Sequence, residues 1–104
     1  MTTPEIMSAN IGAVRAVINE MDDKFDSHDF IKKFSKKIEL DYVYLLATAG
    51  TATPFQTVHS QIGRFLRNNE DNLNIRYVED VNSENIFGNV TECASWRKKS
   101  KEKQ

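Results

Sequence analysis

One stretch constrains this chain more than any other: the run from Thr53 to Asn68, followed by a change of period after Asn74. Thr53 can act as an N-cap, and Pro54 suits the first helical position, where its missing N–H is not needed. At 100° per residue, Phe55, Val58, Ile62, Phe65 and Leu66 gather on one side of the helix. Gln56, Thr57, Ser60, Arg64 and Arg67 gather on the other, a face without any acid. Amide, hydroxyl and guanidinium groups are those that bond base edges and phosphates. A solvated polar face is the plainer reading of the same pattern.

Beyond the polar stretch Asn69–Asn74, Ile75 and Tyr77 flank Arg76, and Val78 and Val81 extend a β-branched run. Asn82–Asn85 is rich in turn formers, and Phe87-Gly88-Asn89 offers a second bend. Val90, Ala94 and Trp96 then share even positions, which predicts a return strand. Glu92 falls on that apolar parity, so a bulge or an edge position is expected near it. The sum is a helix, a short linker and a β-hairpin using 75–81 and 90–96.

The N-terminal half reads as helical. Thr2 and Glu5 stand at capping-box spacing around Pro4. Met7, Ile11, Val14, Ile18 and Met21 then form one stripe, the mark of a core-facing helix that Asn10 and Gly12 weaken but do not end. The polar run 21–24 ends it. A second helix is expected from an N-cap at Ser27, with Phe25, Phe30, Ile31 and Phe34 inward and Lys32, Lys33, Lys36 and Lys37 in water. A third piece, from Asp41 to Ala47, carries Tyr42, Leu45 and Leu46. Small residues from Ala47 to Thr53 turn the chain into the polar-faced helix. The fold class is therefore α+β, with a helical N-terminal part and a C-terminal hairpin.

With 104 residues, one domain over 1–97 is expected, followed by a basic flexible tail over 98–104. From Arg97 onward there are five cations and one acid, suited to a phosphate-seeking arm or a solubilising end. Net charge is −1 and the pI about 6.1, which opposes strong non-specific nucleic-acid binding. The charge is uneven, however. Residues 50–69 hold two Arg and no acid, whereas 70–92 hold six acids and one Arg. The hairpin is thus acidic.

Cys93 alone cannot form an internal disulfide, and its setting suggests a quiet half-buried thiol. No apolar run is long enough for a membrane span, and no signal peptide is visible, so a cytoplasmic setting is expected. Asn89-Val90-Thr91 matches a glycosylation sequon, a chance match in such a setting. His28 and His59 stand far apart, with no metal-ligand spacing, and the four Gly form no phosphate loop. The pairs Cys93/His59 and Ser60/His59 lack a catalytic context. Neither an enzyme, a cofactor nor a metal is expected.

Helical segments, a polar-faced helix and a terminal hairpin together resemble the winged helix-turn-helix family over roughly residues 5–96. The run Thr57-Val-His-Ser-Gln-Ile-Gly-Arg-Phe-Leu66 resembles that family's recognition helix, with Val58, Ile62 and Leu66 at its buried positions. Two departures stand out: two short helices between Ser27 and Ala47 where one is usual, and an acidic hairpin where family members often meet phosphate. The resemblance implies a small sequence-specific DNA-binding regulator of transcription. Its 54–67 helix would enter the major groove of double-stranded DNA, with Gln56, Thr57, Ser60 and Arg64 at bases. Arg67, Lys98 and Lys99 would meet phosphates, and a homodimer would engage two half-sites. Winged helices also dock proteins, so a protein partner held by the acidic hairpin around Phe87 is the alternative. The two readings part on electrostatics. A coherent positive surface at Arg64 and Arg67 favours nucleic acid, and an apolar patch at Phe87 favours protein.

Overall fold

A computed structural model describes residues 1–99. The chain is α+β: helices fill its N-terminal part, and a three-stranded antiparallel sheet closes its C-terminal part. This layout is compatible with a winged helix.

Helix α1 (Thr3–Ala9) starts with the capping box read from sequence. Glu5 N–H donates to Thr2 Oγ1 at 3.3 Å, and Thr2 N–H to Glu5 Oε1 at 2.8 Å. The long first helix, however, is two helices, since α2 (Ile11–Glu20) begins anew after Asn10. The Asn10 amide donates to Ile6 O at 2.9 Å and to Asp41 Oδ2 at 3.0 Å. A side chain that competes for backbone partners favours a break, and Gly12 adds little helical preference to resist it. Met7, Val14, Ile18 and Met21 are buried as the stripe requires, joined by Ile6 and Val17.

A short strand that sequence reading did not anticipate, β1 (Lys24–Asp26), follows. Helix α3 (Ser27–Lys37) is capped by Asp26 rather than Ser27, with Asp29 N–H donating to Asp26 Oδ1 at 2.9 Å. Ser27 is buried instead, and its Oγ accepts from Trp96 Nε1 at 3.0 Å. Phe30, Ile31 and Phe34 fill the core. Helix α4 (Glu39–Ala47) begins two residues before the expected start and buries Tyr42 and Leu45.

Helix α5 (Pro54–Asn68) has the expected bounds and buries Val58, Ile62, Phe65 and Leu66. Thr53 is its N-cap residue, yet its hydroxyl makes no capping bond. The polar stretch that follows includes a single turn, α6 (Glu70–Leu73), which buries Leu73. Asn74 then takes the left-handed conformation (φ 60°), which Asn tolerates better than most residues, and opens β2 (Ile75–Glu84).

Strand β3 (Val90–Lys98) is central, in the order β1-β3-β2. Phe25, Trp96 and Tyr77 sit side by side across the three strands, and Lys24, Arg97 and Arg76 form the next row. The bulge lies in β2, not beside Glu92. Tyr77 pairs with Trp96 and Asp80 with Ala94, so two β2 residues face Ser95 alone. Ser95 Oγ donates to Glu79 O at 2.6 Å and fixes the irregularity. The boundary expected after Arg97 falls inside the sheet. Lys98 N–H donates to Asp23 O and Lys99 N–H to Asn74 O. Residues 100–104 of the expected tail lie outside the described residues.

Candidate binding cleft

Gln56, Ser60, Arg64 and Arg67 are exposed on successive turns of α5, as their spacing requires. Thr57 is half-buried, and its hydroxyl lies 2.9 Å from Thr51 Oγ1. The three other cations assigned to phosphate have partners within the chain. Arg67 stacks over the Tyr77 ring at 4.0 Å, with its Nε 3.8 Å from Glu70 Oε2. Lys98 Nζ donates to Met21 O at 2.6 Å, beside the carbonyl end of α2. Lys99 Nζ meets Asp71 Oδ1 at 2.7 Å and holds that carboxyl below its usual range. Gln56, Ser60, Arg64 and Arg67 thus keep one row along α5, from which Thr57, Lys98 and Lys99 stand apart.

That row is one wall of a cleft, and the β2–β3 hairpin is the other. The cleft has two lobes, of about 410 and 460 Å³, which share His28, His59, Ser60 and Glu92. The inner lobe reaches Arg64, Cys93 and Trp96. The outer lobe opens between Gln56, Phe55 and the hairpin tip. Glu92 lines both lobes because β3 alternation puts it on the side of Trp96 and Ala94. Its place on the apolar parity was a sequence signal for this wall, beside the acidic hairpin and Phe87.

The tip is built rigidly. Asn85 Oδ1 accepts from Phe87 N at 2.9 Å and Asn89 N at 3.1 Å, and Gly88 supplies a φ of +83°. This turn holds Phe87 edge-on to Phe55, ring centroids 4.9 Å apart at 90°. Phe87 nonetheless remains 57% exposed, and neighbouring Val90 68%. Glu79, Asp80, Glu84 and Glu92 are also exposed along the hairpin.

Two histidines serve as struts. His28 Nδ1 donates to Ser83 O at 3.0 Å, which ties α3 to the hairpin. His59 Nε2 lies 2.6 Å from the Tyr42 hydroxyl. Burial, with a contribution from His28, pushes the His59 pKa down and so favours the neutral ring, whose Nδ1–H tautomer accepts from the phenol. Burial also pushes the Cys93 thiol up, reinforced by Asp26 and Asp29 and opposed by the backbone N–H groups of His28 and Ser27. The fold brings Cys93, Ser60 and His59 to one lobe. The thiol stays protonated there, and His59 Nε2 is turned to Tyr42. Among the described residues, no three His, Cys, Asp or Glu side chains converge as metal ligands. Among them, too, no helix is long and apolar enough to cross a membrane.

Neither a family model, nor a curated protein, nor a solved structure matches this chain.

Proposed function

We propose that this chain is a winged-helix-like protein-interaction module. It takes an apolar side chain and a neighbouring basic group of a protein partner into the cleft between α5 and the hairpin. The observation that carries this reading is the Phe55–Phe87 pair, exposed at the mouth of a cleft whose hairpin wall bears Glu92. Aromatic anchors with little rotamer freedom are the usual energetic centre of an interface. An acidic rim selects a cationic neighbour and speeds encounter. The proposal includes a cytoplasmic setting, where the half-buried Cys93 persists as a thiol.

Selection from a random peptide library tests it. Wild type is expected to enrich peptides that pair an aromatic or aliphatic residue with a nearby Lys or Arg. Phe87→Ala is expected to lose the apolar preference, and Glu92→Lys the basic one. Enrichment that ignores both substitutions overturns the reading.

A second reading, sequence-specific binding of double-stranded DNA, is favoured by the exposed, acid-free row Gln56–Ser60–Arg64 on a hairpin-flanked helix. Against it, a large share of DNA affinity comes from phosphate contacts, and Lys98 and Lys99 each hold a partner within the chain. Duplex selection with a salt series decides. An enriched sequence whose binding falls by roughly 1–3 kcal/mol in Arg64→Ala would establish this reading in place of the first.

A further inference from the structure

Helix α4 is apolar on both sides. Tyr42 and Leu45 point into the core, while Leu40, Val43, Tyr44 and Ala47 share the opposite face. That spacing (i, i+3, i+4, i+7) makes one continuous stripe. Leu40 is 87% exposed, Val43 53% and Tyr44 42%. A helix apolar all round is ordinarily covered on every side. In the described chain the N-terminus reaches this face, where the Met1 ammonium donates to the Tyr44 hydroxyl at 2.9 Å, and Leu40 and Val43 stay open. Single exposed apolar residues are unremarkable, but a stripe of four on one short helix marks a contact surface.

We propose that this stripe is a homodimer interface, in which α4 of a second copy packs antiparallel on α4 about a two-fold axis. The inference is independent of the cleft and of what the cleft binds. Two features of the stripe fit a second copy in this orientation. The first is size. A two-fold contact is self-complementary, so the stripe must match its own reverse. Antiparallel pairing sets the large Leu40 of each copy against the small Ala47 of the other, with Val43 and Tyr44 meeting at the centre. Parallel pairing would set Leu40 on Leu40 and leave a gap between the alanines.

The second feature is charge. Glu39 and Asp41 flank the stripe at its N-terminal end, and both are exposed. The C-terminal end runs into Thr48, Ala49, Gly50 and Thr51, whose side chains carry no charge, and the Met1 ammonium lies beside it on Tyr44. Antiparallel pairing keeps the acidic ends apart and lays each toward the end where the other copy holds its Met1 ammonium, with the helix dipoles opposed. Parallel pairing would bring four carboxylates together.

The stripe also sets the strength. Nine residues of helix span about 13 Å. A contact of that length falls short of the roughly 1,200–2,000 Å² of a standard interface. The dimer is therefore a weak one, seen only at high concentration.

Sedimentation of the full chain across a concentration series is the test. Mass is expected to rise from 11.9 kDa toward twice that value. Leu40→Asp and Val43→Asp are each expected to weaken association at least tenfold. Their side chains lie mostly in water, and unchanged thermal melts at low concentration would confirm that the monomer is intact. Orientation is read by disulfide capture in a Cys93→Ala background. A mixture of Leu40→Cys and Ala47→Cys chains is expected to cross-link to each other well above either chain alone. A chain that stays monomeric throughout, or a dimer indifferent to Leu40→Asp, overturns the proposal. Preferred Leu40–Leu40 capture overturns its antiparallel form.

Discussion

The Tyr42 hydroxyl and His59 Nε2, 2.6 Å apart, join α4 to the wall of the binding cleft. The rings also stack, centroids 5.9 Å apart, so the bond lies within a packed contact. A short O–H···N bond of this kind requires a neutral imidazole.

Stability should therefore fall in mild acid. Folding depresses the His59 pKa, so the unfolded chain binds the proton more readily. Above the unfolded value of about 6.5, His59 makes no pH-dependent contribution. As pH drops through that value, stability is lost progressively, until the pH passes below the folded pKa. Denaturation midpoints between about pH 7 and pH 5 are the measurement. His59→Gln should flatten this part of the profile, and an identical slope in that variant would exclude His59 as its source. At neutral pH, Tyr42→Phe should cost about 0.5–1.5 kcal/mol through the lost bond.

Ser27 and Trp96 should show the asymmetry of a buried donor. Trp96 is fully buried, and its indole N–H has Ser27 Oγ as its partner at 3.0 Å. Ser27→Ala removes the acceptor and strands that donor, a loss of about 1–3 kcal/mol. Trp96 is the sole tryptophan, so its fluorescence follows unfolding directly. A Ser27→Ala midpoint equal to wild type would mean that another acceptor takes over.

The two faces of α5 predict opposite sensitivities. Ile62 is 1% exposed, and Ile62→Ala should cost about 2–5 kcal/mol through lost burial and a residual cavity. Ser60 is exposed, and Ser60→Ala should change little. Paired thermal melts decide, and Ser60→Ala as the more harmful change would contradict the facing.

Gly88 should matter at the tip alone. Its φ of +83° is strained for any side chain, and an added Cβ would lie 3.5 Å from Glu84 Oε2. Contact at that distance is ordinary, so backbone strain of roughly 1–2 kcal/mol dominates Gly88→Ala. The strain should be relieved locally, by fraying of the 85–89 turn. Amide exchange is expected to quicken at Phe87 and Asn89 and stay unchanged at Trp96. Equal acceleration at Trp96 would refute local relief.

Periodicity carried much of this fold. The limits of α5, its buried residues and the cores of both hairpin strands follow from period and turn chemistry, which are local, whereas Asn82–Glu84, expected as a turn, continues β2 because Val90–Glu92 pair with it. What sequence reading missed depends on partners remote in sequence. β1 has three residues and exists because β3 lies beside it. Asn10 ends a helix partly because Asp41 takes its amide. Ser27 looked like a cap, but Trp96, distant in sequence, claims its hydroxyl. The candidate site divides the same way. Gln56, Ser60 and Arg64 were legible from the helical wheel, whereas the engagement of Arg67 by Tyr77, and of Lys98 by the end of α2, required the fold. Glu92 was visible as an anomaly of parity, but its meaning came only with the helix across the cleft.

The doubled residue opposite Ser95 has a consequence for how this hairpin can vary. On an unbroken strand, residues three apart face opposite sides, yet Tyr77 and Asp80 share one and are bonded at 2.9 Å. The hairpin is thus two segments out of phase, a base keyed to the core and an arm that reaches Phe87. Insertions or deletions in matched pairs, two residues from each strand of the arm, would shift its reach and leave every inward side chain inward. Removing one β2 residue at the bulge would leave a single residue facing Ser95, with Tyr77 still opposite Trp96 and Asp80 still opposite Ala94, so the arm would keep its facing. Length in this arm is otherwise free to change only in even steps, while the extra residue at its base is held by a serine hydroxyl.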